Sequence, residues 1–276
     1  MKEILTRSLS GLLYIVLLLL CLNNEHALIA LFFVLGIICL AEFNKLIQLK
    51  SFIPFVVFTI IYFVFGYWQL VMNSGTGLRE ATQILQVITI FVQLFLIKDL
   101  FSHNKIPLFE SKRFLLTTFY ISSAFVFLIL IANPHNNHQD FKPSVLLGSF
   151  IIIWVNDTFA FLIGKNFGRQ KLFEKISPKK TVEGFLGGLF FASIASYFIA
   201  KFTSTFDFTY WLILSIIIAV FGTLGDLIES KFKRQADVKD SGIIMPGHGG
   251  LLDRLDSIIF AAPFIYLFLK IIEYVS

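Results

Sequence analysis

The densest charge in the chain lies between Asp226 and Asp256, where acidic and basic side chains are interspersed. Asp226 and Ser230 are four residues apart, and Asp253 and Asp256 are three residues apart, so each pair shares one face wherever the chain is helical. Carboxylates from two separate helix ends suit Mg²⁺, because water and substrate phosphates complete its coordination. The pattern therefore predicts a site that holds a divalent cation beside a polyanionic phosphate.

A glycine-rich turn lies within the same stretch. Pro246-Gly247-His248-Gly249-Gly250 cannot form a regular helix, and its glycines allow positive φ and close approach of backbone N–H groups to an anion. Taken alone, the turn could serve only as a tight connection between helices and not bind phosphate. Lys231, Lys233 and Arg234 alone could be a basic patch that contacts anionic lipid. Taken together, these features predict phosphate binding. The predicted substrate-binding residues are Ser230, Lys231, Lys233, Arg234, His248, Gly249, Gly250 and Arg254.

A second basic segment, residues 164–182, joins two apolar runs. Ser177-Pro178 precedes a predicted helix whose N-terminal dipole, together with Lys179 and Lys180, favours a second phosphate-bearing group. We therefore add Ser177, Lys179 and Lys180 to the predicted substrate-binding residues.

Four acids lie within or at the edge of apolar runs, where a charge costs at least about 2.5–3.5 kcal/mol at the bilayer centre. Asp157, Glu183 and Asp226 either line a cavity open to the cytoplasm or join helices through hydrogen bonds that only hold the bundle together. For Glu42, we expect an interfacial acid that pairs with Lys45 or with solvent.

Long apolar runs must position these segments. The chain has 276 residues, of which 57% are hydrophobic and 15% charged, whereas soluble domains are about 25% charged. Its mean hydropathy of +0.80 also indicates a membrane protein, and this composition excludes disordered, collagen-like and disulfide-scaffold proteins. Windows of about 20 apolar residues predict nine transmembrane helices. They lie near 8–22, 27–44, 52–72, 82–100, 114–132, 145–163, 183–201, 209–228 and 257–275.

The predicted fold class is therefore an all-α polytopic membrane protein. Residues 1–140 would form about five N-terminal helices, and residues 141–276 a catalytic transmembrane region with cytoplasmic loops at 164–182 and 229–256. With the N-terminus inside, all but four of the 23 Lys and Arg residues face the cytoplasm, as the positive-inside rule expects. The same bias accounts for the net charge of +5, so we predict no nucleic-acid partner.

Three blocks of the C-terminal half carry a resemblance. Ser230-Lys231-Phe232-Lys233-Arg234, Lys239-Asp240-Ser241-Gly242 and Pro246-Gly247-His248-Gly249-Gly250-Leu251-Leu252-Asp253-Arg254-Leu255-Asp256 resemble the signature of the phosphatidate cytidylyltransferases, or CDP-diacylglycerol synthases. The preceding residues 225–230 and the upstream residues 176–181 are also similar to that family. Met245 stands where the family more often has a branched aliphatic residue, and Lys165 where Arg is frequent.

The resemblance implies an enzyme of the cell inner (plasma) membrane whose active site faces the cytoplasm. Such enzymes convert CTP and phosphatidate to CDP-diacylglycerol and pyrophosphate with Mg²⁺, and some members use a second cation. By position, Asp226 and Asp253 would bind the metal. The implied catalytic residues are Asp226, Asp253, Lys239 and Asp256. A homodimer is a further family-level expectation, and we assign no proton transfer to His248.

Two other functions stay open at this stage. A CTP-dependent lipid kinase of the dolichol-kinase type would use similar contacts but transfer the γ-phosphoryl group. An ion-coupled transporter would need acids near the bilayer midplane and repeated halves. The chain lacks the Asp-Gly…Ala-Arg…Gly…Asp…Asp pattern of CDP-alcohol phosphotransferases, which argues against that class, and it lacks Gly-x4-Gly-Lys-Ser/Thr, which excludes a P-loop kinase.

Overall fold

The computed structural model describes residues 2–71, 76–102, 104–133, 141–247 and 249–275. Within these ranges, nine helices and one short β-hairpin form the fold, so the all-α prediction is confirmed. The helices are α1 (Lys2–Cys21), α2 (Glu25–Leu46), α3 (Ile53–Val71), α4 (Thr76–Phe101), α5 (Glu110–Ile131), α6 (Pro143–Phe167), α7 (Val182–Thr203), α8 (Phe208–Gln235) and α9 (Leu252–Val275).

Eight of these helices, α2 to α9, are long and apolar enough to cross a membrane, counted over the described residues. In α1, Gly11–Cys21 forms a shorter apolar segment. The predicted number of about nine spans is therefore close to the observed fold. Helices α3 and α5 each contain a π-helical stretch, Tyr62–Trp68 and Thr117–Ser122 respectively.

Contacts between helix ends show that α2 to α9 alternate in direction. At one end, Gln235 exchanges hydrogen bonds with the backbone of Ile106, and Arg113 donates to the Gln48 carbonyl. At the other end, Ser144 contacts Thr205 at 2.9 Å between their hydroxyl oxygens. We call the first end the charged end. It contains the C-terminal ends of α2, α4, α6 and α8 and the N-terminal ends of α3, α5, α7 and α9.

The segment 229–256, predicted as a loop, begins and ends in helix. Helix α8 continues to Gln235, so the basic residues from Lys231 to Arg234 are helical, and α9 begins at Leu252, which places Asp253 and Asp256 in its first turns as expected. The difference at α8 has a simple cause. An apolar window measures the thickness of the hydrocarbon layer, and a helix continues beyond it where its polar side chains find partners.

The segment 164–182, also predicted as a loop, contains the β-hairpin. Strand β1 (Lys171–Phe173) pairs antiparallel with β2 (Ser177–Thr181). Helix α7 begins only at Val182, where the Thr181 hydroxyl accepts the N–H of Gly184 at 3.1 Å as an N-cap. Lys179 and Lys180 therefore lie on a strand before the helix and not in its first turn.

Helices α6 and α7 approach each other along small residues. A Cβ added at Gly188 would lie 2.7 Å from the Asn156 carbonyl oxygen, and one at Gly184 would lie 3.1 Å from the Cα of Gly164. Only glycine fits at this distance. This contact fixes the position of α6, which carries Asp157, against the start of α7 and the hairpin.

Candidate functional site

Asp226 lies nine residues before the end of α8 and faces the hairpin. The Ser230 hydroxyl donates to Asp226 Oδ1 at 3.2 Å, which confirms that the two side chains share one helix face. Lys180 on β2 places its Nζ 2.5 Å from Asp226 Oδ2. This ion pair joins the two charged segments that are far apart in the sequence.

Two further carboxylates lie within electrostatic range of Asp226. Asp256 on α9 is 7% exposed and interacts with both Asp226 and Asp157. Helices α8 and α9 pack closely here, because a Cβ added at Gly225 would lie 2.8 Å from the Asp256 carbonyl oxygen. On α6, Asp157 is accessible at its side chain and accepts a hydrogen bond from Asn156 at 3.2 Å. Three helices therefore contribute acids to one region at the charged end.

The Asp253 carboxylate accepts hydrogen bonds from residues on both sides of the glycine-rich turn. Its Oδ2 accepts from the N–H of Gly250 at 2.7 Å and from the N–H and hydroxyl of Ser241 at 2.9 and 3.0 Å. Its Oδ1 lies 2.7 Å from Lys233 Nζ. Both oxygens of Asp253 therefore have partners within the protein, and only the oxygen beside Lys233 faces a cationic group.

Lys233 is buried between two acids. Its ammonium contacts Glu229, which is 0% exposed, as well as Asp253. Lys231 is also buried, and its ammonium donates to the backbone carbonyls of Asp99 and Ser102 at the C-terminal end of α4. Substrate binding by both lysines stays a prediction, and in the structure their ammonium groups contact groups of the protein. The reason is the extension of α8, which turns these positions toward neighbouring helices.

The glycine-rich turn has the backbone conformation that its sequence predicts. Gly247 and Gly249 have φ values of +77° and +89°, and the N–H of Met245 donates to the Gly249 carbonyl at 3.0 Å. The predicted phosphate seat beside it is, however, taken by carboxylates of the chain itself. Asp253 accepts the N–H of Gly250, and Glu42 accepts the N–H groups of Leu251 and Leu252. His248 lies outside the described residues.

The expectation for Glu42 is wrong. Glu42 is 1% exposed, so it is buried and not interfacial. Its carboxylate accepts backbone N–H groups at the N-terminal end of α9. Glu183 likewise accepts from the backbone N–H groups of Arg169 and Gln170 at 3.0 and 3.2 Å, which anchors the start of the hairpin. The energetic penalty of an acid inside an apolar run was the signal for Glu42, but the sequence does not show where its partner lies.

The remaining predicted residues lie at the same end. Lys179, Lys239, Arg234 and Arg254 are exposed, Ser177 and Lys180 are partly exposed, and Arg234 Nη1 donates to the Val238 carbonyl at 3.1 Å. Arg254 acts electrostatically on Asp157. Across the described ranges, no three His, Cys, Asp or Glu side chains are arranged as a ready metal-binding group.

Two cavities lie away from these residues. One of about 780 Å³ opens between the ends of α7, α8 and α9 at the opposite end of the bundle, beside Lys201, Asp207 and Glu273. A smaller one of about 330 Å³ lies between α6 and α7 and is lined mainly by apolar side chains. The acids and lysines of the charged end, and not the cavity at the opposite end, therefore mark the candidate site.

The fold and this cluster define a polytopic membrane protein with an acid- and lysine-rich site at one end. Comparison with known sequences gives its family. The sequence profile of the cytidylyltransferase family matches residues 5–272. The phosphatidate cytidylyltransferase of Bacillus subtilis (strain 168) is 36% identical over 207 residues, which cover 74% of this chain and 76% of the relative. That of Staphylococcus aureus (strain COL) is 37% identical over 191 residues, 68% of this chain and 70% of the relative. The chain belongs to the cytidylyltransferase family.

Proposed function

We propose that the chain transfers the cytidylyl group of CTP to phosphatidate, which gives CDP-diacylglycerol and pyrophosphate. The family and its similar relatives support the substrates. The observation in the structure that carries the proposal is the Lys180–Asp226 pair, because it unites both charged segments beside Asp157 and Asp256. A reaction between two anions needs positive charge at one place, which lysines supply directly and acids supply by holding a metal cation.

The proposed step is an in-line displacement. A phosphatidate oxygen attacks the α-phosphorus of CTP, the bond from that phosphorus to the bridging oxygen of the β-phosphate breaks, and pyrophosphate leaves. The attacking phosphate is largely ionised near neutral pH, since its second pKa is about 6, so no strong general base is required. Lys180, with Lys179 and Lys239 at the same end, would neutralise phosphate charge. No side chain of the protein needs to form a covalent intermediate.

The acids of the charged end offer the hard oxygen ligands that a divalent cation prefers. Asp226 and Asp253 each hold a lysine ammonium in the structure, so both carboxylates are placed to bind positive charge. A cation on Asp253 would replace Lys233 at Oδ1, which also accepts the Ser241 N–H at 3.2 Å, because Oδ2 accepts from Gly250 and Ser241. We propose Asp226 and Asp253 as the metal-binding acids, with Asp256 buried nearby as a further acid of the catalytic group. Bound Mg²⁺ would offset the repulsion between the substrates and stabilise the leaving pyrophosphate.

Membrane placement follows from the same arrangement. The charged end would face the cytoplasm, where CTP is found, and the diacyl tails of phosphatidate would stay in the bilayer between the helices. The exposed basic residues of this end, among them Arg234 and Arg254, would contact the headgroup or the nucleotide. The bacterial relatives suggest the plasma membrane. A homodimer is proposed only from the family resemblance.

Radiolabelled CTP tests the reaction. Purified protein with phosphatidate and Mg²⁺ is expected to move label from α-labelled CTP into the lipid product, and not from γ-labelled CTP. Transfer of the γ-label instead would establish the lipid-kinase alternative. Movement of a substrate across proteoliposomes without any labelled product would favour the transporter.

Substitution of Lys231 tests whether this residue supports the fold or binds substrate. Lys231→Met is expected to lower the thermal midpoint, because two carbonyls at the end of α4 lose their donor and each such loss costs about 1–3 kcal/mol. Lys180→Met is the matched comparison, since it removes the ammonium on Asp226, and it is expected to lower turnover more than stability. Thermal unfolding and turnover of both variants check this. If Lys231→Met kept the wild-type thermal midpoint but lost as much turnover as Lys180→Met, Lys231 would be a substrate-binding residue and not a support of the fold.

A further inference from the structure

Glu42 on α2 contacts the catalytic signature from the N-terminal half of the chain. Its Oε2 accepts the N–H of Leu252 at 2.8 Å, and its Oε1 accepts the N–H of Leu251 at 3.2 Å. The Ser241 hydroxyl lies 3.3 Å from Oε2. Because the side chain is 1% exposed, these donors and the N-terminal dipole of α9 are what stabilise it.

Glu42 and Asp253 accept hydrogen bonds from consecutive backbone N–H groups of one short segment, residues 250–252. Asp253 accepts the N–H of Gly250, and Glu42 accepts the next two, those of Leu251 and Leu252. The Ser241 hydroxyl lies within hydrogen-bond distance of both carboxylates, at 3.3 Å from Glu42 and 3.0 Å from Asp253, so its single proton is shared. A change at Glu42 therefore alters the contacts of Asp253.

The glycines of this segment make room for the Glu42 carboxylate. A Cβ added at Gly250 would overlap the Ser241 hydroxyl and lie 2.7 Å from Glu42 Oε2, and one at Gly242 would overlap the Glu42 side chain. Both glycines have negative φ, and among the described glycines only Gly247 and Gly249 have positive values. The approach of Glu42 thus explains the missing side chain at Gly242, and Ser241 together with Glu42 explains the one at Gly250.

We infer that Glu42 is a positioning residue, which holds residues 241–242 and 250–252 against α2 and thereby orients Asp253. This inference rests on the proposed function, because Asp253 matters only if it binds the reacting charges. Glu42 fixes the turn that occupies Asp253 Oδ2, which leaves Oδ1 directed at Lys233. Without Glu42, Ser241 and the α9 N-terminus lose an acceptor, and the Asp253 carboxylate is free to rotate toward them.

Hydrogen exchange and kinetics on the full-length protein test this inference. The variants are Glu42→Gln, which removes the charge, and Gly242→Ala, which displaces the carboxylate but keeps it. Glu273→Gln is the matched control, an acid of the opposite end that pairs with Lys270 at 2.7 Å. Amide exchange is followed at residues 250–252, together with kcat and the KM for CTP.

We expect exchange at the Leu251 and Leu252 amides to become at least about tenfold faster in both variants, because a charge-assisted hydrogen bond is lost. Exchange in the rest of α9 should be unchanged. We also expect kcat to fall by at least about tenfold, with the KM for CTP changed by less than about threefold, because orientation and not ground-state binding is lost. The control should match the wild type in every measurement.

Three results would overturn the inference. Unchanged exchange at Leu251 and Leu252 would show that the contact does not protect them. Faster exchange with a normal kcat would make Glu42 a structural residue only. Faster amide exchange along the whole of α9 would show that Glu42 supports the fold as a whole and not the turn. If the wild type formed no CDP-diacylglycerol, the proposed function would fail, while the exchange measurement would still decide whether Glu42 holds the turn.

Discussion

Asp226→Asn is expected to lower the formation of CDP-diacylglycerol by about a thousandfold while the protein stays folded. The amide keeps the size of the side chain but loses the negative charge that Lys180 contacts and that the proposed cation requires. Stability should change little, because Asp226 and Lys180 are both partly exposed and solvent can replace their contact. The measurement is turnover with α-labelled CTP beside a thermal midpoint.

Asp207→Asn is the matched control for this variant. Asp207 immediately precedes the same helix at its opposite end and is exposed. The same change of residue type there should leave turnover at the wild-type value. Near-normal turnover of Asp226→Asn would remove Asp226 from the metal site and with it the proposed mechanism.

Asp253→Asn is expected to lose turnover to a similar extent and, unlike Asp226→Asn, to lose stability as well. Asp253 accepts from Gly250 and Ser241 and neutralises the buried Lys233, so an amide leaves that lysine with Glu229 alone. A lost contact of a buried charged group costs about 1–3 kcal/mol or more. Turnover and denaturant unfolding should therefore both change.

Asp237→Asn controls for the loss of an acid in the same segment. Asp237 is exposed and has a φ of 55°, a conformation that asparagine accepts readily. It should behave as the wild type in both measurements. If Asp253→Asn lost stability but kept turnover, Asp253 would serve only to hold the turn, and the metal would need another second ligand.

The helices could be predicted from the sequence because the bilayer imposes a minimum apolar length on each of them. Their ends could not. Helix α8 extends to Gln235 because its last turns find partners, such as the carbonyls of α4 that accept from Lys231. The hairpin was missed because β1 has only three residues and the polar β2 carries no apolar alternation.

In the candidate site, too, only part of the arrangement could be predicted from the sequence. Helical spacing correctly placed Ser230 beside Asp226, because residues four apart on a helix are neighbours. The contacts of Lys180 with Asp226 and of Glu42 with Leu252 join residues distant in the sequence, and no local pattern encodes them. Lys233 was read as a phosphate contact because its type allows either role. Its pairing with Glu229 four residues earlier follows from helical spacing, but only the packing of α8 against α9 shows its contact with Asp253.

We propose that Asp226 and Asp253 hold one divalent cation together. Mn²⁺ binding to the full-length protein in the presence of CTP, followed by electron paramagnetic resonance, tests it most directly. We predict one bound Mn²⁺ in the wild type and at least about tenfold weaker binding in both Asp226→Asn and Asp253→Asn. Wild-type Mn²⁺ affinity in either variant would contradict a shared site.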